Sequence, residues 1–393
     1  MKIVFVGPFG LQPKSTMKAR ALPLARALAE RGHELTVLLP PWDDPARAGQ
    51  VWRDGRVEII NIALPPGIPL LFHGAVTHAL LRQALLLQPE VIHFFKPKAF
   101  AGLAHWAAWQ WRRRAGLSIR LVVDTDGWEQ AWNEKLNYPL WQQRFFTWQE
   151  RWGLAHADVL TVASRELAHL AAASGARRIV YVPNGVTAEA GPVAKLALSP
   201  AEVRARWQLG QAPTILLLTR FVEFRLERVV RLVRLVAEQM PEARWLIVGS
   251  GLYGEERELE RLLAEAGLMA LVRLTGWVPY TDLSAYGQAA HVAAMPFDDT
   301  LINRTKCSVK VLELLTTGIP VVADAVGQNC EYIQPGSTGL LTPPEDDEAF
   351  SRALVSLLQD SAWQRALGGA AAQYVKHHFN WTDLARILEE AYH

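Results

Sequence analysis

Residues 305–322 read Thr305-Lys306-Cys307-Ser308-Val309-Lys310-Val311-Leu312-Glu313-Leu314-Leu315-Thr316-Thr317-Gly318-Ile319-Pro320-Val321-Val322. Ser308 suits an N-cap and Gly318 a C-cap, so the spacing predicts a helix over Val309–Thr317 with a strand after it. Ser308, Val309 and Lys310 then offer backbone donors at a helix N-terminus, where the macrodipole favours a phosphate. Glu313 falls one turn beyond Lys310 on the same face. A carboxylate placed there can accept two hydrogen bonds from a sugar diol, although the spacing also suits a plain surface Lys–Glu pair.

Outward from this stretch, short β-branched runs alternate with helical ones. In the second half the strands are expected at Thr214–Leu218, Trp245–Val248, Val272–Thr275, Val292–Met295, Pro320–Ala323 and Gly339–Leu341, with helices at Glu227–Gln239 and Glu255–Ala266. In the first half they are expected at Ile3–Val6, Leu35–Leu39, Val57–Ile62, Val91–Phe95, Leu121–Asp124, Val159–Ala163 and Ile179–Val182, with helices at Ala19–Arg31, Leu70–Leu87 and Ala99–Arg114. Continuous apolar strands separated by helices indicate parallel sheets covered on both faces. The small-residue and proline-containing stretch 186–200 reads as a linker between two doubly wound α/β domains. Ligands of such sheets bind at the carboxyl ends of the strands, and two facing sheets are expected to frame a cleft.

Composition narrows the function classes. Of 393 residues, 50% are hydrophobic and 20% charged, which excludes disorder and collagen-like sequence and implies at least two domains. A formal charge of +2 supplies no global field for nucleic acid, so any anion site is local. Cys307 and Cys330 form no CxxC, and the N-terminal apolar run is short, which together fit a reducing cytoplasm. No HExxH or similar spacing points to a metal. Residues 59–81 lack charge, but Pro65, Pro66 and Pro69 break any spanning helix. Trp106, Trp109 and Trp111 precede Arg112-Arg113-Arg114, and Trp141, Trp148 and Trp152 accompany Arg144 and Arg151. Either core packing or peripheral contact with a membrane surface accounts for that pattern.

Three further loops follow strands. Gly7-Pro8-Phe9-Gly10-Leu11, with Lys14-Ser15-Thr16 beyond, feeds a helix without matching GxGxxG or a P-loop. Thr219-Arg220-Phe221 and then Glu223, Phe224 and Arg225 place two guanidiniums five positions apart just past a buried strand, where their forks match phosphate oxygens. Val123-Asp124-Thr125-Asp126-Gly127-Trp128-Glu129 and Lys96-Pro97-Lys98 put acids and lysines at neighbouring strand ends. The lysines suit an anionic acceptor or phosphates, and ordinary solvated strand-end loops account for both stretches equally well.

Asn184-Gly185-Val186, Thr219-Arg220-Phe221, Val248-Gly249-Ser250-Gly251, Thr275-Gly276-Trp277-Val278 and Lys310–Glu313 with Gly318-Ile319-Pro320-Val321-Val322 occur in a fixed order. Together they resemble the family-4 glycosyltransferases of GT-B fold. The resemblance implies two Rossmann-like domains: residues 1–190 on the acceptor side, joined by a C-terminal helix over 374–393 that crosses back, and residues 191–373 holding a nucleotide-sugar donor. It also implies hexosyl transfer to an acceptor hydroxyl with retention of anomeric configuration, and with neither cofactor nor metal. Arg220 and Arg225 match the catalytic Arg–Lys pair on the donor diphosphate, with Arg225 where Lys is usual. Glu313 matches the second Glu of the Glu-x7-Glu motif, which binds ribose; Ser308, Val309 and Lys310 match the phosphate-binding helix start. Gly276 and Val278 match the stretch beside the nucleobase, and Gly10 the first-domain loop near sugar and diphosphate. Thr305 stands where the first Glu is expected, and the family's first-domain His has no match; which residue replaces it is left open, with Asp126 the better of the acids at that place to bond sugar hydroxyls. The acceptor, whether glycan, lipid-linked or small molecule, is not specified. Alternatives sharing the fold are a sugar-nucleotide epimerase and a catalytically silent binding module.

Overall fold

The computed structural model describes residues 1–12, 16–65, 72–187 and 198–393. Lys14 and Ser15 of the first loop, the Pro-rich run with the expected helix start at Leu70, and most of the expected linker lie outside the described residues. The chain divides into two units. The first comprises Met1–Gly185, Thr305–Cys307 and Trp381–His393; the second comprises Val186–Arg304 and Ser308–Asn380.

Among the described residues the first unit holds eight strands: β1 (Lys2–Val6), β2 (Glu34–Leu39), β3 (Val51–Asp54), β4 (Val57–Asn61), β5 (Val91–Phe95), β6 (Arg120–Thr125), β7 (Val159–Val162) and β8 (Ile179–Tyr181). Their order is β3-β4-β2-β1-β5-β6-β7-β8. All neighbours pair in parallel except β3, which lies antiparallel on β4 at the sheet edge. Sequence patterning misses β3 because this hairpin strand has only partly buried or exposed residues. Every residue of β5 and β7 is buried, as a sheet covered on both faces requires. On one face Phe5, Val37 and Leu39 pack with Leu24 and Leu28, and with Leu384, Leu388 and Tyr392 from the terminal helix Trp381–Ala391. That helix is shorter than the expected 374–393, because Tyr374 belongs to the separate helix Ser361–His378 of the second unit. The helix after β1 opens with a π-turn, Met17–Ala21, before continuing as Leu22–Glu30.

The second unit is a six-stranded, wholly parallel sheet in the order β11-β10-β9-β12-β13-β14. Its strands are β9 (Thr214–Leu218), β10 (Arg244–Val248), β11 (Val272–Leu274), β12 (Val292–Met295), β13 (Val321–Asp324) and β14 (Leu340–Thr342). Central β9 sends Leu216 and Leu218 toward Val311, Leu312 and Leu315 on one face, and Ile215 and Leu217 toward Val229, Leu232 and Phe350 on the other. The helix of the opening stretch runs Val309–Thr316, and Gly318, at φ +79°, supplies the left-handed residue just past its end. No helix among the described residues is long and apolar enough to cross a membrane.

Candidate active site

At the carboxyl end of β9 the chain turns sharply: Phe221 adopts φ +60° and its amide donates to Thr219 Oγ1 at 2.7 Å. Glu223 folds back beneath this turn and is almost wholly buried. Its Oε2 accepts from Thr219 Oγ1 (2.9 Å), Val222 N (3.1 Å) and Arg220 N (3.3 Å). Its Oε1 pairs with Lys310 Nζ at 3.1 Å. One carboxylate thus ties the Arg220 loop to the first turn of the Val309–Thr316 helix. The Arg220 side chain is exposed, and among the described residues no hydrogen bond or ion pair engages it. Its guanidinium keeps all its donors for a ligand.

Ser308 occupies the N-cap position without a side-chain capping bond. One turn on, burial pushes the Glu313 carboxyl up, opposed by the Tyr280 hydroxyl and by Lys310. Tyr280 lies in the turn after Gly276, Trp277 and Val278, and Trp277 is 73% exposed. Gly249 closes the other side. At φ +138° it donates to Gly276 O, and a Cβ there would lie 1.8 Å from Thr219 O, so only glycine lets the ends of β9 and β10 approach.

Arg225 stands differently from Arg220. Its backbone amide donates to Asp298 Oδ2 at 2.8 Å, while its side chain, 72% exposed, leans on Asp298 (3.6 Å) and Glu345 (3.8 Å). Beside it Arg228 is buried among Asp298 (3.1 Å), Asp324 (2.9 Å) and Asp347 (2.7 Å). Although burial opposes charge, Asp324 and Asp347 hold the guanidinium above its usual range. Arg228 fixes the loops around Arg225 and has no free donor face of its own.

In the first unit the strand-end acids and lysines meet each other. Lys96, at φ +62°, places Nζ 2.7 Å from Asp126 and 2.8 Å from Glu129. Lys98 reaches Glu129 at 3.2 Å and Asn133 at 2.9 Å. Burial disfavours the Lys96 ammonium, yet Asp126 and Glu129 hold it above its ordinary range. Asp126 therefore stands as an acceptor beside the Lys96 ammonium. Glu150 beneath them accepts the amides of Glu129 and Gln130, while burial and Glu129 push its carboxyl up to about 8. Gly10 donates weakly to Asp43 at 3.4 Å. Deeper, Arg20 on the π-turn grips Asp124 with two bonds (2.8 and 2.6 Å) and also reaches Val182 O and Asn184.

Sequence reading assigns no role to Glu223, Tyr280 or Arg20. An acid three residues past a strand-end Arg and a Tyr four residues past Gly276 are the only local signals. Their partners, Lys310 and Glu313, lie far along the chain.

The comparisons agree with this architecture. A model described as "Glycosyl transferase 4-like domain" matches residues 15–185, and one described as "Glycosyl transferases group 1" matches residues 212–360. The chain is 28% identical over 380 residues to a GDP-mannose-dependent alpha-(1-6)-phosphatidylinositol monomannoside mannosyltransferase of Mycobacterium tuberculosis, covering 93% of this chain and 91% of the relative. It is 26% identical to a phosphatidyl-myo-inositol mannosyltransferase of Mycobacterium leprae over 100% of this chain and 96% of that one. Among solved structures, sucrose-phosphate synthase from Thermosynechococcus elongatus superposes with a TM-score of 0.73 at 23% identity, covering 100% of this chain and 98% of that one. WaaG, a glycosyltransferase involved in lipopolysaccharide biosynthesis, gives 0.65 at 17% over 99% and 98%. Two parallel α/β units, the ordered strand-end motifs and matches across both halves make this chain a nucleotide-sugar-dependent glycosyltransferase of the family-4-like GT-B class.

Proposed function

We propose that the protein transfers a hexose, of the mannose type, from a nucleoside-diphosphate sugar to a hydroxyl of a phosphatidylinositol-like lipid. The reaction retains anomeric configuration and needs neither metal nor cofactor. The observation that carries the reading is the uncommitted Arg220 guanidinium, joined through Glu223 to Lys310 and the start of the Val309–Thr316 helix. These groups present fixed positive potential to one diphosphate. As the bond from the sugar's anomeric carbon to the diphosphate oxygen breaks, charge grows on that oxygen, and preorganised donors stabilise it without reorganising. The acceptor oxygen bonds to the same face of that carbon, and its proton passes to the departing phosphate. Arg225, already leaning on two carboxylates, contributes at the edge of the diphosphate site. Glu313 takes the ribose hydroxyls, and Gly276 and Val278 flank the base. Asp126, held beside Lys96, orients sugar hydroxyls, with Gly10 near the sugar. The relatives named for GDP-mannose and phosphatidylinositol substrates support the choice of donor and acceptor.

The test is to incubate the purified protein with GDP-mannose, with and without phosphatidylinositol, in buffer with and without EDTA. Expected are GDP release that depends on the lipid and ignores EDTA, and a mannolipid with the donor's anomeric configuration. A new sugar-nucleotide isomer formed without acceptor, or nucleotide binding with no turnover across nucleotide sugars and lipids, overturns the reading.

A further inference from the structure

On the Leu140–His156 helix, Trp141, Arg144, Trp148, Arg151 and Trp152 recur at three- to four-residue spacing and so share one face. Leu140 and Trp141 at its start are 73% and 70% exposed, and Trp148 is exposed as well. Apolar side chains grouped in this way on a surface mark an interaction site. The band continues inward. Phe145 stacks on Trp148 (5.9 Å), Trp152 on His156 (4.3 Å), and Trp109 of the neighbouring Ala99–Ala115 helix meets Trp152 edge-on (5.6 Å). Exposed Trp106 extends it, and the Arg113 guanidinium lies over Trp109 at 4.6 Å.

The charge on these two helices has one sign. The only carboxylate among their residues is Glu150, which is buried and occupied by two backbone amides. Arg112 is paired with Asp158, whereas Arg113, Arg114, Arg144 and Arg151 are exposed. An open cleft of about 660 Å³ runs between the Leu140–His156 helix and Gln130 and Asn133, with Arg144, Trp148 and Arg151 in its wall. In a chain of net charge +2 this is a local concentration of cations beside tryptophans.

We propose that this face docks on an anionic phospholipid bilayer, with the tryptophans at the headgroup level and Arg144 and Arg151 on lipid phosphates. Tryptophan's apolar body and polar N–H suit that depth, and exposed guanidiniums complement the surface charge. A second copy fits poorly, because a two-fold contact sets the same arginines against each other. The inference stands on this face alone and does not depend on the identity of donor or acceptor.

The experiment is co-sedimentation of the full chain with phosphatidylglycerol–phosphatidylcholine vesicles and with phosphatidylcholine vesicles. Soluble glycerophosphoglycerol serves as competitor, and the variants are W141A/W148A and R144E/R151E. Wild type is expected to bind the anionic vesicles at least tenfold more tightly than the neutral ones, the preference shrinking as salt is raised. Each variant loses at least tenfold while keeping the wild-type melting temperature, which shows that it is folded. Glycerophosphoglycerol at millimolar concentration leaves vesicle binding unchanged, since no single headgroup replaces the bilayer. Equal binding to both vesicles, variants that bind like wild type, displacement by the soluble headgroup, or a dimer that W141A/W148A abolishes would each overturn the proposal.

Discussion

Replacing Arg220 by alanine separates catalysis from folding. The guanidinium makes no bond to the described residues, and what the backbone does at this position, its amide held by Glu223, survives the substitution. Stability should therefore change by no more than about 0.5 kcal/mol, as for surface sites free of such features. In the transition state the same group faces the charge growing on the departing diphosphate. Loss of one preorganised donor at such a place raises the barrier by about 2.7–4 kcal/mol, or a hundred- to a thousandfold in rate. Arg220→Lys restores charge without the bidentate fork and should recover part of the loss. The assay is the initial rate of nucleotide release at saturating donor and acceptor, with thermal melting run on the same samples. A rate within threefold of wild type for Arg220→Ala, at an unchanged melting temperature, would refute the electrostatic reasoning.

Glu313→Ala should weaken nucleotide binding by about 1.5–3 kcal/mol, read by calorimetry, and leave a 2′,3′-dideoxy nucleotide insensitive to the change. Arg20→Ala leaves Asp124 buried without its cation, so unfolding experiments should show about 3–5 kcal/mol of lost stability. Glu150 contributes a pH dependence of its own. Its folded value of about 8 exceeds the ordinary 4.5, so the folded state holds the extra proton between them. Its contribution is complete below pH 4.5 and declines as pH rises toward 8, a slope that Glu150→Gln removes from denaturation curves taken across that window.

How far the sequence reveals the molecule depends on the range of the interaction. Strands such as β9 and β12 announce themselves as unbroken apolar runs, because a doubly covered parallel strand admits little else. The Val309–Thr316 helix is equally plain, since Ser308 and Gly318 mark its ends within a few residues. The edge strand β3 buries too little to leave a pattern, whereas reading 374–393 as one helix passes over the weak helix formers His377-His378-Phe379-Asn380, where the helix Ser361–His378 ends before Trp381–Ala391 begins. At the site, local spacing places Arg220 at a strand end and Glu313 one turn past Lys310. It does not show that Glu223 is the strut between them, because that contact joins positions 87 residues apart. Nor does it show that Lys96 and Asp126 neutralise each other, a consequence of β5 and β6 lying side by side.

The claim that Arg220, Lys310 and the helix start share one diphosphate is tested most directly by titrating GDP and guanosine into wild type and Arg220→Ala. The account predicts that wild type prefers GDP strongly and that the substitution removes most of that preference while guanosine binds as before. Equal weakening of both ligands, or of neither, would contradict it.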